Sequence, residues 1–350
     1  MRRGALASAA AAAALLAAGC GGGGEETPGE VVLVTHDSFA VSKPVQRAFE
    51  RETGLTLKIL QTGDAGEALN RALLTKGDPE GDVFFGVDNN LLTRALDEDL
   101  FDAYEPEGLD RVPERYHLDP DHRVSPVDHG EVCLNVDSGW FRQHGLPAPT
   151  GFEDLVRPRY RKLLVVENPA TSTPGLAFLL ATVARFGEDG WQDYWRRLRA
   201  NAVLVADGWT EAYTVRFSGA GGSKGNRPIV VSYASSPPAE VIYGGKPDAT
   251  KAPTAVVQST CFRQVELAGL LRGAPNPEGG KRLLDFMLSE RFQADVPLSM
   301  FVFPVRDGVP LPPAFRRFAI VPPAPLELSP QEIGANRERW IREWTDVVLR

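Results

Sequence analysis

Val31-Val32-Leu33-Val34-Thr35 is an apolar run of strand length, and the pattern that follows it sets the class of fold. Ser42-Lys43-Pro44 places a capping residue and a proline at the start of a helix with Val45, Ala48 and Phe49 on one face, and Gly54 closes it. Leu55, Leu57 and Ile59 alternate as a second strand, and Ala65, Ala68, Leu69, Ala72 and Leu73 recur at helical spacing. Val83 to Val87 reads as a third strand, and Leu91, Leu92, Ala95 and Leu96 as a third helical stripe. Strands and helices alternating in this order predict an α/β protein with a mainly parallel sheet flanked by helices.

Pro106, Pro113, Pro120 and Pro126 then interrupt the rhythm, and a second α/β series follows. Its strands are expected around Cys133, at 163–166, 203–206 and 229–233, with a helix over 176–186 and a capping box at Thr150-Gly151-Phe152-Glu153. Two lobes therefore fit better than one large sheet. Ser329-Pro330-Gln331-Glu332 caps a last helix, on which Ile333, Trp340, Ile341, Trp344 and Val348 form a docking stripe. The expected divisions are lobe 1 at 31–130 plus 258–305, lobe 2 at 131–257, and a C-terminal helical segment at 306–350 whose lobe the sequence leaves open.

The 350 residues carry 38 Lys plus Arg against 46 Asp plus Glu, a net charge of −8. This balance offers no electrostatic footprint for nucleic acid. Met1-Arg2-Arg3 followed by an Ala-rich run to Gly19 reads as an export signal over 1–19, too short for a spanning helix, and it ends at Cys20. Residues 20–30 read as a flexible tether. Export bears on the other two cysteines. Cys133 and Cys261 lie in strand-like segments of a chain bound for an oxidising compartment, where a bridge between them is favoured over two buried thiols.

Candidate chemistry collects just after strands, where open α/β sheets take ligands. His36-Asp37-Ser38-Phe39, Gly63-Asp64 and Asp88-Asn89-Asn90 occupy such places in the first lobe; Asp64 and Asp88 also suit helix caps. In the second lobe Ser172 and Thr173 stand at a helix start suited to an anion. Trp209 and Tyr233 to Ser236 put aromatic residues beside hydroxyls. No nucleophile elbow, zinc-protease pair or zinc-type cysteine pairing occurs. His117, Asp119, Asp121, His122, Asp128 and His129 are expected to form a solvated, Pro-rich connector rather than a metal site.

Taken in order, His36 to Ala40, Val87 to Leu92, Thr171 to Gly175, Gly208 to Tyr213 and Ser232 to Pro237, followed by Phe303-Pro304-Val305, resemble the thiamine-binding proteins of ABC importers. The resemblance implies a two-lobed type II periplasmic-binding-protein fold with two hinge strands. It implies capture of thiamine or a thiamine phosphate between the lobes and delivery to an ABC permease, with no cofactor, no metal and no catalysis. It places His36, Gly63, Asp64, Ser172, Thr173, Trp209, Tyr233, Ala234, Ser235, Ser236 and Phe301 around the ligand. The N-terminus resembles a bacterial lipoprotein signal, implying lipidation of Cys20 and a monomer anchored to the outer face of the cytoplasmic membrane. His36, Phe301 and Ala239 stand where relatives can carry Tyr, Trp and another aromatic residue, which leaves Tyr243 as an alternative stacking partner. The competing readings are a ferric-ion or other small-solute receptor of the same fold, and an exported thiamine-degrading enzyme with a cleft cysteine.

Overall fold

The computed structural model describes residues 29–244 and 249–350; Cys20, the leader and nearly all of the tether fall outside the described residues. Among the described residues ten strands form one sheet: β1 (Glu30–Thr35), β2 (Thr56–Gln61), β3 (Val83–Asp88), β4 (Phe101–Asp102), β5 (Ser125–Asp137), β6 (Leu164–Glu167), β7 (Leu204–Ala206), β8 (Ile229–Tyr233), β9 (Thr254–Leu271) and β10 (Phe303–Pro304). The order is β2-β1-β3-β9-β5-β8-β6-β7, with β4 on β9 and β10 on β5. β2-β1-β3 and β8-β6-β7 are parallel blocks. Each is the product of β-α-β crossovers, and each carries its ligand-facing loops at the carboxyl ends of the strands.

Between the blocks run the two longest strands, β5 and β9, antiparallel to one another. Their first and last portions pair with different blocks: β9 meets β3 through Glu266 to Leu270, and β5 meets β8 through Val132 to Val136. The ladder between them breaks in the middle. Val132 faces Phe262 but Leu134 faces Val257, so residues 258–261 bulge from β9. Cys133 and Cys261 meet at that bulge with their sulfurs 2.02 Å apart in a disulfide, packed against Ala234, Val256 and Ile320.

The helix Pro330–Val348 joins the two halves. Ser329 Oγ accepts from the Glu332 N–H at its start. Trp344 packs edge-on against Trp195 of the helix Trp191–Ala200. At its other end the Arg337 guanidinium donates to the Asn90 carbonyl (3.1 Å), and Gly334 lies against Thr93. The terminal segment thus touches both lobes.

Two local expectations change. Thr150 does not close a capping box with Glu153: its N–H and hydroxyl both donate to Asp154 Oδ2, while Glu153 pairs with Arg185. Asp128 and His129 are not part of a solvated connector, because β5 already begins at Ser125 and runs through both. Asp128 is buried, and the His129 ring stacks between Tyr116 and Phe303. Asp119 is held by the Arg123 guanidinium rather than by any partner histidine.

Candidate functional site

Two adjoining cavities lie between the parallel blocks. One, about 320 Å³, is lined by Trp209, Tyr213, Tyr233, Ser236, Glu240 and Phe301, among others. The second, about 200 Å³, is lined by His36, Ser38, Glu266, Ser299 and Val302. Trp209, Tyr233, Tyr243, Met300 and Phe301 belong to both, so the two form one cleft. The larger compartment alone falls within the usual range of small-molecule sites, roughly 300 to 1,000 Å³.

The sequence around each ring explains its position. Trp209 follows β7 and precedes a π-helical turn, Glu211–Arg216, in which the Phe217 N–H donates to the Ala212 carbonyl five residues back. Such turns are rare and frequently sit at binding sites. Trp209 and Tyr213 stack with centroids 5.0 Å apart and planes 14° from parallel. The Trp209 indole N–H donates to Ser232 Oγ (2.9 Å), which bonds Ser236 Oγ in turn. Across the cleft Phe301 adopts a left-handed backbone with φ 57°. A bulky residue held there costs on the order of 1–3 kcal/mol, a strain typical of ligand clamps.

The blocks meet beside this cleft in a closed arrangement. The Trp209 N–H donates to Asp64 Oδ2 (2.9 Å), the Glu67 N–H to the Thr171 carbonyl (3.2 Å), and the Gln264 amide to Thr173 Oγ1 (3.2 Å). Asp64 also accepts from the Ala65 N–H, so it caps its helix and ties the blocks together at once. Asp88 does not cap the next helix, whose N-cap is Leu91; it accepts from the N–H groups of Asn90 and Leu91 in the turn before it.

Of the residues expected around the ligand, His36, Trp209, Tyr233, Ser236 and Phe301 line the cleft. Asp64, Ser172 and Thr173 lie at the buried seam, and Gly63 serves the loop before it, its carbonyl accepting from the Asp37 N–H. Ala234 packs on the disulfide, and Ser235 is fully buried. Sequence reasoning missed the two carboxyls that line the cavities, Glu240 and Glu266. Each is a lone acid inside an apolar run, Pro238-Ala239-Glu240-Val241 and Val265-Glu266-Leu267, and that interruption was the available signal.

The electrostatics are dominated by carboxyls that burial shifts upward. Glu240 accepts from the Tyr213 hydroxyl (2.9 Å) and the Gly221 N–H (2.6 Å), and burial raises its pKa. Burial holds His36 down to about 4, so it is neutral, with Nδ1 2.8 Å from Ser38 Oγ. Burial lifts Asp64 to about 6 against the opposing hydrogen bonds from Trp209 and Ala65, and Asp88 and Glu131 to about 7. Glu167, sealed without a hydrogen-bond partner, is raised well above the carboxylate range by burial. No Lys or Arg lines either cavity among the described residues.

These raised carboxyls make stability depend on pH in a definite direction. Each folded-state pKa lies above its unfolded value, so the fold keeps protons that the unfolded chain releases, and stability is lost as pH rises through the folded values. His36 and His129, both held neutral by burial, oppose this only as pH falls to and below the unfolded histidine value near 6.5. Lowering pH from 8 to 6.5 is therefore expected to raise the urea midpoint, with roughly 1 kcal/mol from each group titrating near 7. A midpoint that falls over the same interval contradicts the burial of these acids.

The strand order and cleft have counterparts among known proteins. The family described as Bacterial extracellular solute-binding protein matches residues 78–317. Over 326 residues the chain is 31% identical to the thiamine-binding periplasmic protein of Salmonella typhimurium (strain LT2), an alignment covering 91% of this chain and 94% of the relative. The thiamine-binding periplasmic protein of Brucella abortus is 30% identical over 332 residues, covering 92% of each. A solved periplasmic thiamin binding protein matches with a TM-score of 0.81 at 29% identity, covering 93% of this chain and 98% of its own. With its parallel blocks joined by β5 and β9 in the two-lobed type II arrangement, the chain belongs to the bacterial extracellular solute-binding proteins.

Proposed function

We propose that this protein captures thiamine between its lobes outside the cytoplasm and hands it to an ABC permease, without chemical turnover. The observation that carries this reading is the composition of the cleft: stacked Trp209 and Tyr213, with Tyr233 and Phe301, beside Glu240 and Glu266 and no Lys or Arg among the described lining residues. Aromatic faces suit a flat aminopyrimidine and a cationic thiazolium. Carboxyls suit the amine and the charge. The names of the relatives point the same way.

The same composition favours free thiamine over its phosphates. Ser172 and Thr173 begin a helix, but the Asp64 carboxyl stands at the same seam, where a phosphate would meet a like charge. Calorimetric titration with thiamine, its monophosphate, its diphosphate and ferric citrate tests both points. Thiamine is expected to bind at least tenfold more tightly than either ester, with no saturable ferric signal and the vitamin recovered intact. A ferric response without a thiamine one would transfer the site to the competing receptor reading.

In this reading the lobes, divided near residues 130 and 258 at the β5 and β9 crossings, close over the ligand and open about those two strands. Gly66 offers a probe of that motion. A Cβ added there would stand 2.5 Å from the Thr171 carbonyl oxygen of the opposite lobe. Gly66→Ala is expected to weaken thiamine binding about tenfold, leaving the thermal midpoint intact because the clash exists only when the lobes close. Unchanged affinity would mean that this seam is not part of the bound state. Lipidation of Cys20 completes the reading, and the intact mass of the membrane-extracted mature chain tests it.

A further inference from the structure

Asp128 on β5 and Glu266 on β9 are register partners, placed where that ladder shifts between Pro126 and Asp128. Asp128 is 1% exposed and Glu266 7%, and Glu266 forms part of the wall of the smaller cavity. Neither oxygen of Asp128 has a hydrogen-bond partner, and pairing directly opposite in the ladder puts the Asp128 and Glu266 side chains next to each other on one face of the sheet. Two bare carboxylates at such a contact repel, so one proton resides between them.

The groups facing this pair supply no compensating positive charge. His36, after β1, has Nε2 3.5 Å from Glu266 Oε1 but is neutral. Asp88 on β3 is the other register partner of Glu266, Asp64 stands at the start of the helix Ala65–Leu74, and Tyr233 ends β8. Each is acidic or neutral. Arg263 of β9 faces Glu131 and Glu327 instead, and Arg337 is occupied by the Asn90 carbonyl and Glu338.

We propose that Glu266 and Asp128 form a proton-exchange site: the pair shares one proton in the free protein, and the ligand's ring cation takes that proton's place against Glu266. One O–H bond of Glu266 breaks, its proton leaves to solvent, and a cationic ring enters. The buried charge stays constant across the exchange. Uptake is thereby linked to pH, and a neutral isostere of the ligand gains nothing from the pair. The titration behaviour agrees: burial, then the charge of Asp128, push Glu266 well above the carboxylate range, while burial lifts Asp128 to about 7. The identity of the cation rests on the thiamine reading; the geometry of the pair does not.

The test is calorimetric titration of the full mature chain with thiamine in buffers of different ionisation enthalpy. Near pH 7, between half a proton and one proton is expected to leave per thiamine bound. Affinity should rise with pH, by up to about tenfold per unit, and flatten once the pair has lost its proton. Glu266→Gln should abolish the release and weaken thiamine at least tenfold, while an analogue with a neutral thiophene in place of the thiazolium binds both proteins within about threefold. Thiamine binding with no proton release, unchanged in Glu266→Gln, overturns the proposal, and the proton count on the unmutated protein stands even if that variant misfolds. Should the unmutated protein not bind thiamine, the ligand reading fails on its own. Carboxyl NMR titration of the free protein then decides the pair: one proton retained above pH 7 upholds it, and two carboxyls ionised by pH 5 overturn it.

Discussion

Replacing Trp209 with alanine is expected to weaken thiamine binding about a hundredfold while the protein stays folded. Trp209 borders both compartments of the cleft, so a ligand in either lies beside the ring. A desolvated cation–π interaction contributes about 2 kcal/mol, and the apolar ligand surface that the ring would no longer shield from water adds about 1. Together these approach 3 kcal/mol, about a hundredfold in Kd. The fold is insulated from the change because the indole is only half-buried, and the neighbouring core of Val165, Tyr213, Phe217 and Val230 closes without it. Trp209→Phe should fall between, keeping a face for stacking but losing the hydrogen bond to Ser232. Affinity within about threefold of the unmutated protein, with an unchanged circular dichroism spectrum, would remove the stacking role. A variant that loses its thermal transition would instead make the ring part of the core.

What the sequence made legible follows from the range of the forces involved. The β-α rhythm from Val31 to Leu96 is written in local periodicity, and the strands expected at 31–35, 83–87 and 229–233 are found within a residue of those limits. The aromatic residues of the site were readable for a related reason: Trp209 and Tyr233 stand at strand ends, where a sheet of this class opens to solvent. The acids were not. Asp64 looks like a cap and is one, but its second bond, to the Trp209 N–H 145 residues away, exists only because the lobes approach. Glu266 and Asp128 meet through the pairing of two strands more than 100 residues apart in sequence, and no local pattern encodes that register. Asp128 was further hidden by Pro126. Pro126 sits within β5 beside a register shift, a position a strand tolerates because the ladder is already irregular there.

The largest effect on stability is expected at the bridge between Cys133 and Cys261. Its sulfurs close a loop spanning 128 residues, which includes most of the second lobe. In the chain-entropy treatment, opening a loop of that length costs the fold about 5 kcal/mol, because the unfolded chain regains the freedom that the crosslink removed. Alanine at both positions is the cleaner replacement. The site is apolar, walled by Ala234, Val256 and Ile320, and a serine pair would add the cost of two buried hydroxyls. Cys133→Ala with Cys261→Ala is therefore expected to lower the unfolding free energy by about 4–5 kcal/mol, read from the urea midpoint and slope together, the slope rising as the unfolded chain expands without its crosslink. Dithiothreitol should shift the unmutated protein the same way and leave the double variant unaffected. Binding should respond far less, because neither sulfur reaches the cleft and the β5–β9 ladder on both sides of the bulge persists without the bridge. A double variant as stable as the unmutated protein would mean that the paired strands alone restrain the chain and the crosslink is energetically idle. A large loss of thiamine affinity with little loss of stability would instead make the bridge a constraint on closure, acting at the bulge where the two hinge strands shift register between Val132 and Leu134.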